Sequence, residues 1–191
     1  MIDMKPLVFE KFLFLSKFLH SPGEVGSVTP SSVFLAKKIT GSVPWDEVNH
    51  IAELGAGTGA ITQHIQSAVK KHANVLLFEK DQKMRTDLTG KFPDFLLFSD
   101  CRMLRLAMRE AQIEQLDCVI SGLPFFNFPQ RLRDQILEQI VASLKPGGLF
   151  VAFQYSQQMK SQLAEYFEIE EIKFVLMNFP PAFVYVCRKK K

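Results

Sequence analysis

From residue 49 onward the chain alternates between short unbroken apolar runs and longer stretches in which apolar positions recur every three or four residues. The runs predict strands at 49–54, 74–79, 95–99, 116–121 and 149–155, and the stretches after them predict helices at 59–71, 81–89, 102–110, 130–144 and 157–167. Strands that are apolar on both faces, each followed by an amphipathic helix, predict an α/β fold with a parallel sheet covered on both sides. The C-terminal end departs from this period. EIKFVLMNF (171–179) and AFVYVCRK (182–189) meet across Asn178-Phe179-Pro180-Pro181. That connection is too short for a right-handed crossover and predicts an antiparallel hairpin.

Upstream of the sheet, a helix is predicted over 6–20. At about 100° per residue Leu7, Val8, Phe12, Phe14, Leu15, Phe18 and Leu19 share one broad arc, with Lys11 intruding. Glu10, Ser16, Lys17 and His20 lie opposite, together with Phe9 and Leu13. An apolar surface wider than one stripe suits a helix with core on one side and membrane or substrate on the other. SPGEVGSVTPSS (21–32) is a connector, and Ser31 or Ser32 caps a helix running through Val33 to Ile39. The expected division is an N-terminal amphipathic helical extension over 1–45 and an α/β domain over 46–191.

With 191 residues the chain is long enough to bury a substantial core. Its net charge is only +3, and four cations are gathered at Arg188-Lys189-Lys190-Lys191. So local a basicity disfavours a broad RNA-binding surface, while a small basic patch suits an anionic membrane or a phosphate-bearing substrate. Cys101, Cys118 and Cys187 are odd in number, widely spaced and without a CxxC pair. Disulfides and a zinc site are therefore not expected, and a reducing cytoplasm is the natural compartment. Lys5, Glu10, Lys11 and Lys17 interrupt the apolar start, which has neither an export-signal pattern nor the length of a membrane span.

Ligands in such sheets bind beyond the carboxyl ends of the strands, near the switch in strand order. Four of these ends carry useful groups. After the first strand comes Glu53-Leu54-Gly55-Ala56-Gly57-Thr58-Gly59, where glycines let the backbone turn tightly and approach a ligand. After the second comes Phe78-Glu79-Lys80-Asp81. Glu79 follows Gly55 by 24 residues, a spacing that suits an acid accepting two ribose hydroxyls. The third end offers Asp100 and Cys101, with Asp100 placed to receive an adenine amino hydrogen, and the fourth offers Ser121-Gly122-Leu123-Pro124-Phe125-Phe126. An acid such as Glu53 beside the glycine loop is poor company for a diphosphate and good company for a cation. The sulfonium and ammonium of S-adenosylmethionine match that pattern.

At these residues the chain resembles the class I S-adenosylmethionine-dependent methyltransferases. ELGAGTG is similar to their first motif, Glu79 to their ribose acid, Ser99-Asp100-Cys101 to their adenine loop, LKPGGLFVAF to their fifth strand, and EIKFVLMNFPPAFVYVCRK to their closing hairpin. The resemblance covers roughly residues 30 to 191 and implies a Rossmann-like seven-stranded, mostly parallel sheet with an antiparallel last strand. It also implies S-adenosylmethionine as cofactor, bound through Glu53, Gly55, Gly57, Gly59, Glu79, Lys80, Asp100, Cys101, Ser121 and Leu123. Within that class, FLFLSKFLHSPGEVGSVTPSS, SGLPFFNFP and NFPPAFVYVCRK resemble the bacterial phospholipid N-methyltransferases. These convert phosphatidylethanolamine stepwise toward phosphatidylcholine on the inner face of the cell membrane. A more distant similarity is to the ribosomal-RNA adenine dimethyltransferases, which carry Asn-Leu-Pro-Tyr or Asn-Leu-Pro-Phe at the fourth strand. Here Gly122 stands where that Asn would be, and Ser121 is one position early.

Methyl transfer from a sulfonium is an in-line displacement that needs alignment and exclusion of water, with no metal. Phe125 and Phe126 are expected to wall the acceptor, favouring a methylated ammonium by cation–π attraction. The same rings would stack on a flipped base. A protonated amine must lose its proton before attack; Tyr155 is the preferred acceptor, with His20 and Glu53 as alternatives. Lys37 or Lys38 can meet lipid phosphate. The expected protein is thus a monomeric methyltransferase of phospholipid amines on an anionic membrane surface, with RNA disfavoured and DNA not expected. RNA adenine methylation and non-catalytic cofactor binding remain the other readings.

Overall fold

The computed structural model describes residues 31–190. The helix predicted over 6–20, His20 and Lys191 lie outside the described residues. Helix α1 (Val33–Thr40) leads to β1 (His50–Leu54), α2 (Thr62–Ala68), β2 (Asn74–Phe78), α3 (Gln82–Lys91) and β3 (Leu96–Phe98). Then follow α4 (Leu104–Glu110), β4 (Leu116–Ser121), α5 (Gln130–Ser143), β5 (Leu144–Gln154), α6 (Lys160–Tyr166), β6 (Phe167–Val175) and β7 (Ala182–Lys189). The strands form one sheet in the order β3-β2-β1-β4-β5-β7-β6. All pairings from β3 to β5 are parallel, and β7 is antiparallel to both of its neighbours. This is the expected Rossmann-like arrangement. No helix among the described residues is long and apolar enough to cross a membrane.

Alternation of side chains along the strands divides the core into two layers. On one face Ile51, Val75, Leu77, Cys118, Ile120, Leu149 and Val151 pack with Leu35 and Ile39 of α1, Ile65 of α2 and Leu88 of α3. On the other, Ala52, Leu76, Val119, Phe150 and Tyr185 pack with Leu104 of α4, Leu137 and Ile140 of α5 and Leu163 of α6. Helix α1 therefore shares the sheet's core although it precedes residue 46. Ser32 caps it, its Oγ accepting from Leu35 N at 3.1 Å, as the pattern at Ser31-Ser32 suggested.

Register aligns the strand ends. Phe98, Phe78, Leu54, Ser121 and Ala152 are successive partners across the sheet. Gly55, Glu79, Ser99 and Gly122 therefore leave it at one level, while β5 runs on to Gln154 beside β7. The chain runs from β1 outward to β3, then returns to β4 on the other side of β1, so the switch in strand order lies between β1 and β4.

Strand β5 begins at Leu144, earlier than the expected 149, and three further differences from the pattern have a visible cause. Helix α2 begins at Thr62 rather than 59, because Gly55, Gly57 and Gly59 all take positive φ and carry the loop further. Strand β6 begins at Phe167 and ends at Val175, where 171–179 was expected. Phe167 is fully buried and stacks on Phe150 at 5.0 Å, which pulls the strand start upstream, while Leu176 and Met177 form the turn. Finally, the basic tail does not lie near the site. Because β7 runs antiparallel, Arg188 and Lys189 emerge at the opposite edge of the sheet. There Arg188 pairs with Glu170 and Gly147 O, Lys189 Nζ donates to Leu144 O, and Lys190 Nζ donates to Ala164 O.

Candidate active site

Beyond β1, the Gly55 and Ala56 N–H groups both donate to Phe78 O, at 2.8 and 3.0 Å, pinning the glycine loop over the end of β2. Gly57 N donates to Glu79 Oε2 at 2.8 Å, and Asp81 N donates to Glu79 Oε1 at 2.9 Å. Glu79 is thus oriented by backbone on both oxygens, each of which keeps a further lone pair for a hydroxyl. Gly57 has φ +57°, and a β-carbon built there meets no atom within 4 Å, so its conformation rather than crowding demands glycine. The space above it is open to a ligand.

Glu53 lies beneath the loop, fully buried, its Oε2 accepting from Thr62 Oγ1 at 2.7 Å. Its Oε1 has no partner among the described residues. Burial is the main reason its carboxyl is pushed up to about 8; the Thr62 bond opposes this and the nearby Glu79 charge adds to it. Glu53 is therefore largely protonated at neutral pH, so it does not supply the negative charge expected of it for a cationic ligand. Thr62 escaped the sequence reading, since nothing in its local pattern sets it apart from other helix-starting threonines.

At the third strand end the Asp100 carboxylate is committed to Arg102, accepting from its backbone N and from Nε at 2.9 Å and Nη2 at 2.5 Å. The hydrogen bond from the Arg102 side chain holds its pKa below the usual carboxylate range, and the Lys80 charge adds to this. An adenine amino hydrogen would share an oxygen that Arg102 already uses. Cys101 is half-buried with its thiol pushed up to about 11, chiefly by burial, so it stays a thiol. Lys80 is exposed, just past Glu79.

The fourth end is a turn held by its own polar groups. Ser121 is buried, and its Oγ accepts from Leu123 N at 3.2 Å. Leu123 O accepts from Phe125 N at 2.9 Å and from Gln154 Nε2 at 2.9 Å. Gln154 had a visible signal: a polar residue closing the apolar run LFVAFQ. Gly122 N donates to Leu54 O at 2.8 Å, and a β-carbon on Gly122 would stand 2.9 Å from Gly55 O. The turn and the glycine loop touch backbone to backbone, and that contact leaves no space for an Asn at 122.

The two turn phenylalanines separate. Phe125 is 1% exposed, edge-on to Phe128 and Phe150 at 6.2 and 6.3 Å, so it is a core ring rather than the expected wall. Phe126 is 47% exposed and faces outward at the site's edge. Tyr155 follows β5 edge-on to Phe153 at 5.7 Å. Burial raises its pKa, and the Asn178 side chain opposes this. Tyr155 therefore keeps its proton at neutral pH and can serve as wall and lone-pair acceptor, not as an ionising base.

These loops meet at the carboxyl ends of the parallel strands, beside the switch in strand order between β1 and β4. A family model described as a methyltransferase domain matches residues 51–148. A relative from Singulisphaera acidiphila, named ornithine lipid N-methyltransferase, is 33% identical over 186 residues, spanning 94% of this chain and 96% of that protein. The chain belongs to the class I S-adenosylmethionine-dependent methyltransferases. A probable ribosomal RNA small subunit methyltransferase A from Halobacterium salinarum is 23% identical to this methyltransferase over 110 residues, 58% of this chain and 36% of that protein. Its fold is shared by a solved S-adenosylmethionine-dependent O-methyltransferase from Thermotoga maritima, with a TM-score of 0.63 at 15% identity over 91% of this chain and 71% of that one. The methyltransferase uses S-adenosylmethionine as its methyl donor.

Proposed function

We propose that the enzyme methylates the amine of an aminolipid, phosphatidylethanolamine or its methylated intermediates, at the inner surface of the cell membrane. The observation that carries this reading is the near full-length likeness to a protein named ornithine lipid N-methyltransferase. It makes ornithine lipid a second acceptor to test beside phosphatidylethanolamine. The likeness to a ribosomal RNA methyltransferase covers little more than half of this chain, and Gly122 has no side-chain carbonyl to receive an adenine amino hydrogen.

S-adenosylmethionine supplies an electrophilic methyl group on a sulfonium. In the proposed arrangement Glu79 accepts the ribose hydroxyls, with Gly57 N–H fixing the carboxylate. Gly55 and Gly59 shape the loop, and Glu53 with Thr62 braces it from below. Asp100, Cys101 and Lys80 border the adenine end, and Ser121 with Leu123 closes the floor. Gln154 holds the Leu123 carbonyl still, which keeps the Pro124 turn in position beside the reacting centre. Phe126 and Tyr155 offer aromatic surface to an amine that gains positive charge as it is methylated.

The test incubates the full chain and labelled S-adenosylmethionine with three acceptors: anionic liposomes containing phosphatidylethanolamine, the same liposomes containing ornithine lipid, and unmodified ribosomal RNA. Label in either lipid is the expected outcome. Label in RNA alone refutes the proposal.

A further inference from the structure

Large apolar side chains are exposed chiefly at the edge of the sheet that holds the site. Val33, Phe34, Met103, Phe126, Phe174, Leu176, Met177 and Phe179 lie there, whereas Leu96 at the start of β3 and Leu106 in α4 stand apart from it. Two groups are adjacent. Val33 and Phe34, 57% and 55% exposed, open α1; Leu176 and Met177, 68% and 62% exposed, form the β6–β7 turn. Asn178 ties them together, its Oδ1 accepting from Ser32 N at 3.0 Å and its Nδ2 donating to Pro180 O at 2.6 Å. Asn178 thereby holds the start of α1 against the β6–β7 turn, which lies beside the C-terminal end of β5.

Helix α1 has an unusual outer face. Leu35, Ala36, Ile39 and Thr40 are buried, while Val33, Phe34, Lys37 and Lys38 point outward within an arc of about 140°. The apolar pair sits at the end nearest the site edge, and the lysines follow ~6 Å further along the axis. Neither α1 nor the turn at 176–181 contains an acidic residue. Apolar groups leading and cations one turn behind match the depth profile of a bilayer surface, where side chains enter the acyl boundary and lysines stay at the phosphates. A second copy fits less well: four partly covered side chains offer much less than the ~800 Å² per partner of a stable dimer.

We infer that Val33, Phe34, Leu176 and Met177 form a bilayer-docking face on the folded domain itself, with Lys37 and Lys38 contacting anionic headgroups. The face sets the active-site edge against the membrane and leaves the Arg188–Lys190 edge turned away. Its purpose rests on the aminolipid reading, but its detection does not.

The experiment floats the full chain on phosphatidylglycerol–phosphatidylethanolamine vesicles and, separately, on phosphatidylcholine vesicles. The variants are a triple Phe34→Ser, Leu176→Ser, Met177→Ser and a double Lys37→Glu, Lys38→Glu. The triple variant is expected to partition about tenfold or more weakly onto both vesicles. The double variant is expected to lose binding to the anionic vesicles alone. Cofactor affinity by calorimetry and melting temperature should match the parent for both. Unchanged flotation overturns the inference: with a lowered melting temperature it assigns the face to residues 1–30, and with a changed elution volume to a second copy. Flotation lost as expected from a chain that methylates neither lipid leaves the docking face standing and refutes the proposed function instead.

Discussion

Replacing Glu53 with glutamine is expected to remove a pH dependence of stability that the native chain carries. Glu53 is fully buried, and its carboxyl is pushed from an ordinary 4.5 to about 8, mainly by burial. Below pH 4.5 the group is protonated in folded and unfolded chains alike. Between 4.5 and about 8 the unfolded chain has released a proton that the folded chain retains, so stability falls as the pH rises. At about 1.4 kcal/mol per pH unit the whole interval amounts to about 5 kcal/mol, of which about 3 kcal/mol is spent by pH 7. For a domain of this size each kcal/mol moves the melting temperature by ~2–4 °C. The native chain should therefore lose roughly 10 °C relative to Glu53→Gln between pH 5 and pH 8. Scanning calorimetry of both proteins without cofactor, in buffers of one ionic strength, measures this difference, and groups common to both cancel. Parallel melting curves across that range would refute the burial of Glu53 as described.

Two further changes test the rest of the site. Glu79→Ala removes the acceptor of the Gly57 and Asp81 N–H groups and should weaken S-adenosylmethionine binding by about tenfold or more in calorimetry; an unchanged affinity would remove Glu79 from the site. Gln154→Leu leaves Leu123 O with the Phe125 N–H alone, at a cost of about 1 kcal/mol. Its kcat should fall several-fold while the KM for S-adenosylmethionine holds, and a fall in cofactor affinity without a change in kcat would make Gln154 merely structural.

The strand–helix period, the closing hairpin and the glycine loop with its two acids were legible because each is written in contiguous residues. Apolar spacing reports which faces are buried, and a glycine beside a strand end reports a tight turn. Partnerships between distant segments were not legible. The pairing of Glu53 with Thr62, the Gln154 hold on Leu123 and the Asn178 bridge from Ser32 to the β6–β7 turn depend on which strand lies beside which. Phe125 and Phe126 are neighbours of identical composition, yet one fills the core and the other faces out. The place of the basic tail was not legible either, because the antiparallel direction of β7 carries Arg188 and Lys189 to the end of the sheet away from the site.

The sequence by itself thus determined the α/β class, the order of elements and the tight glycine loop after β1, since these follow from local periodicity and backbone preference. Only the tertiary structure decided that Glu53 is protonated, that Gly122 must remain glycine and that the exposed apolar residues share an edge with the site. Those properties come from desolvation and contact between chain segments far apart in sequence, and no local pattern encodes such distances.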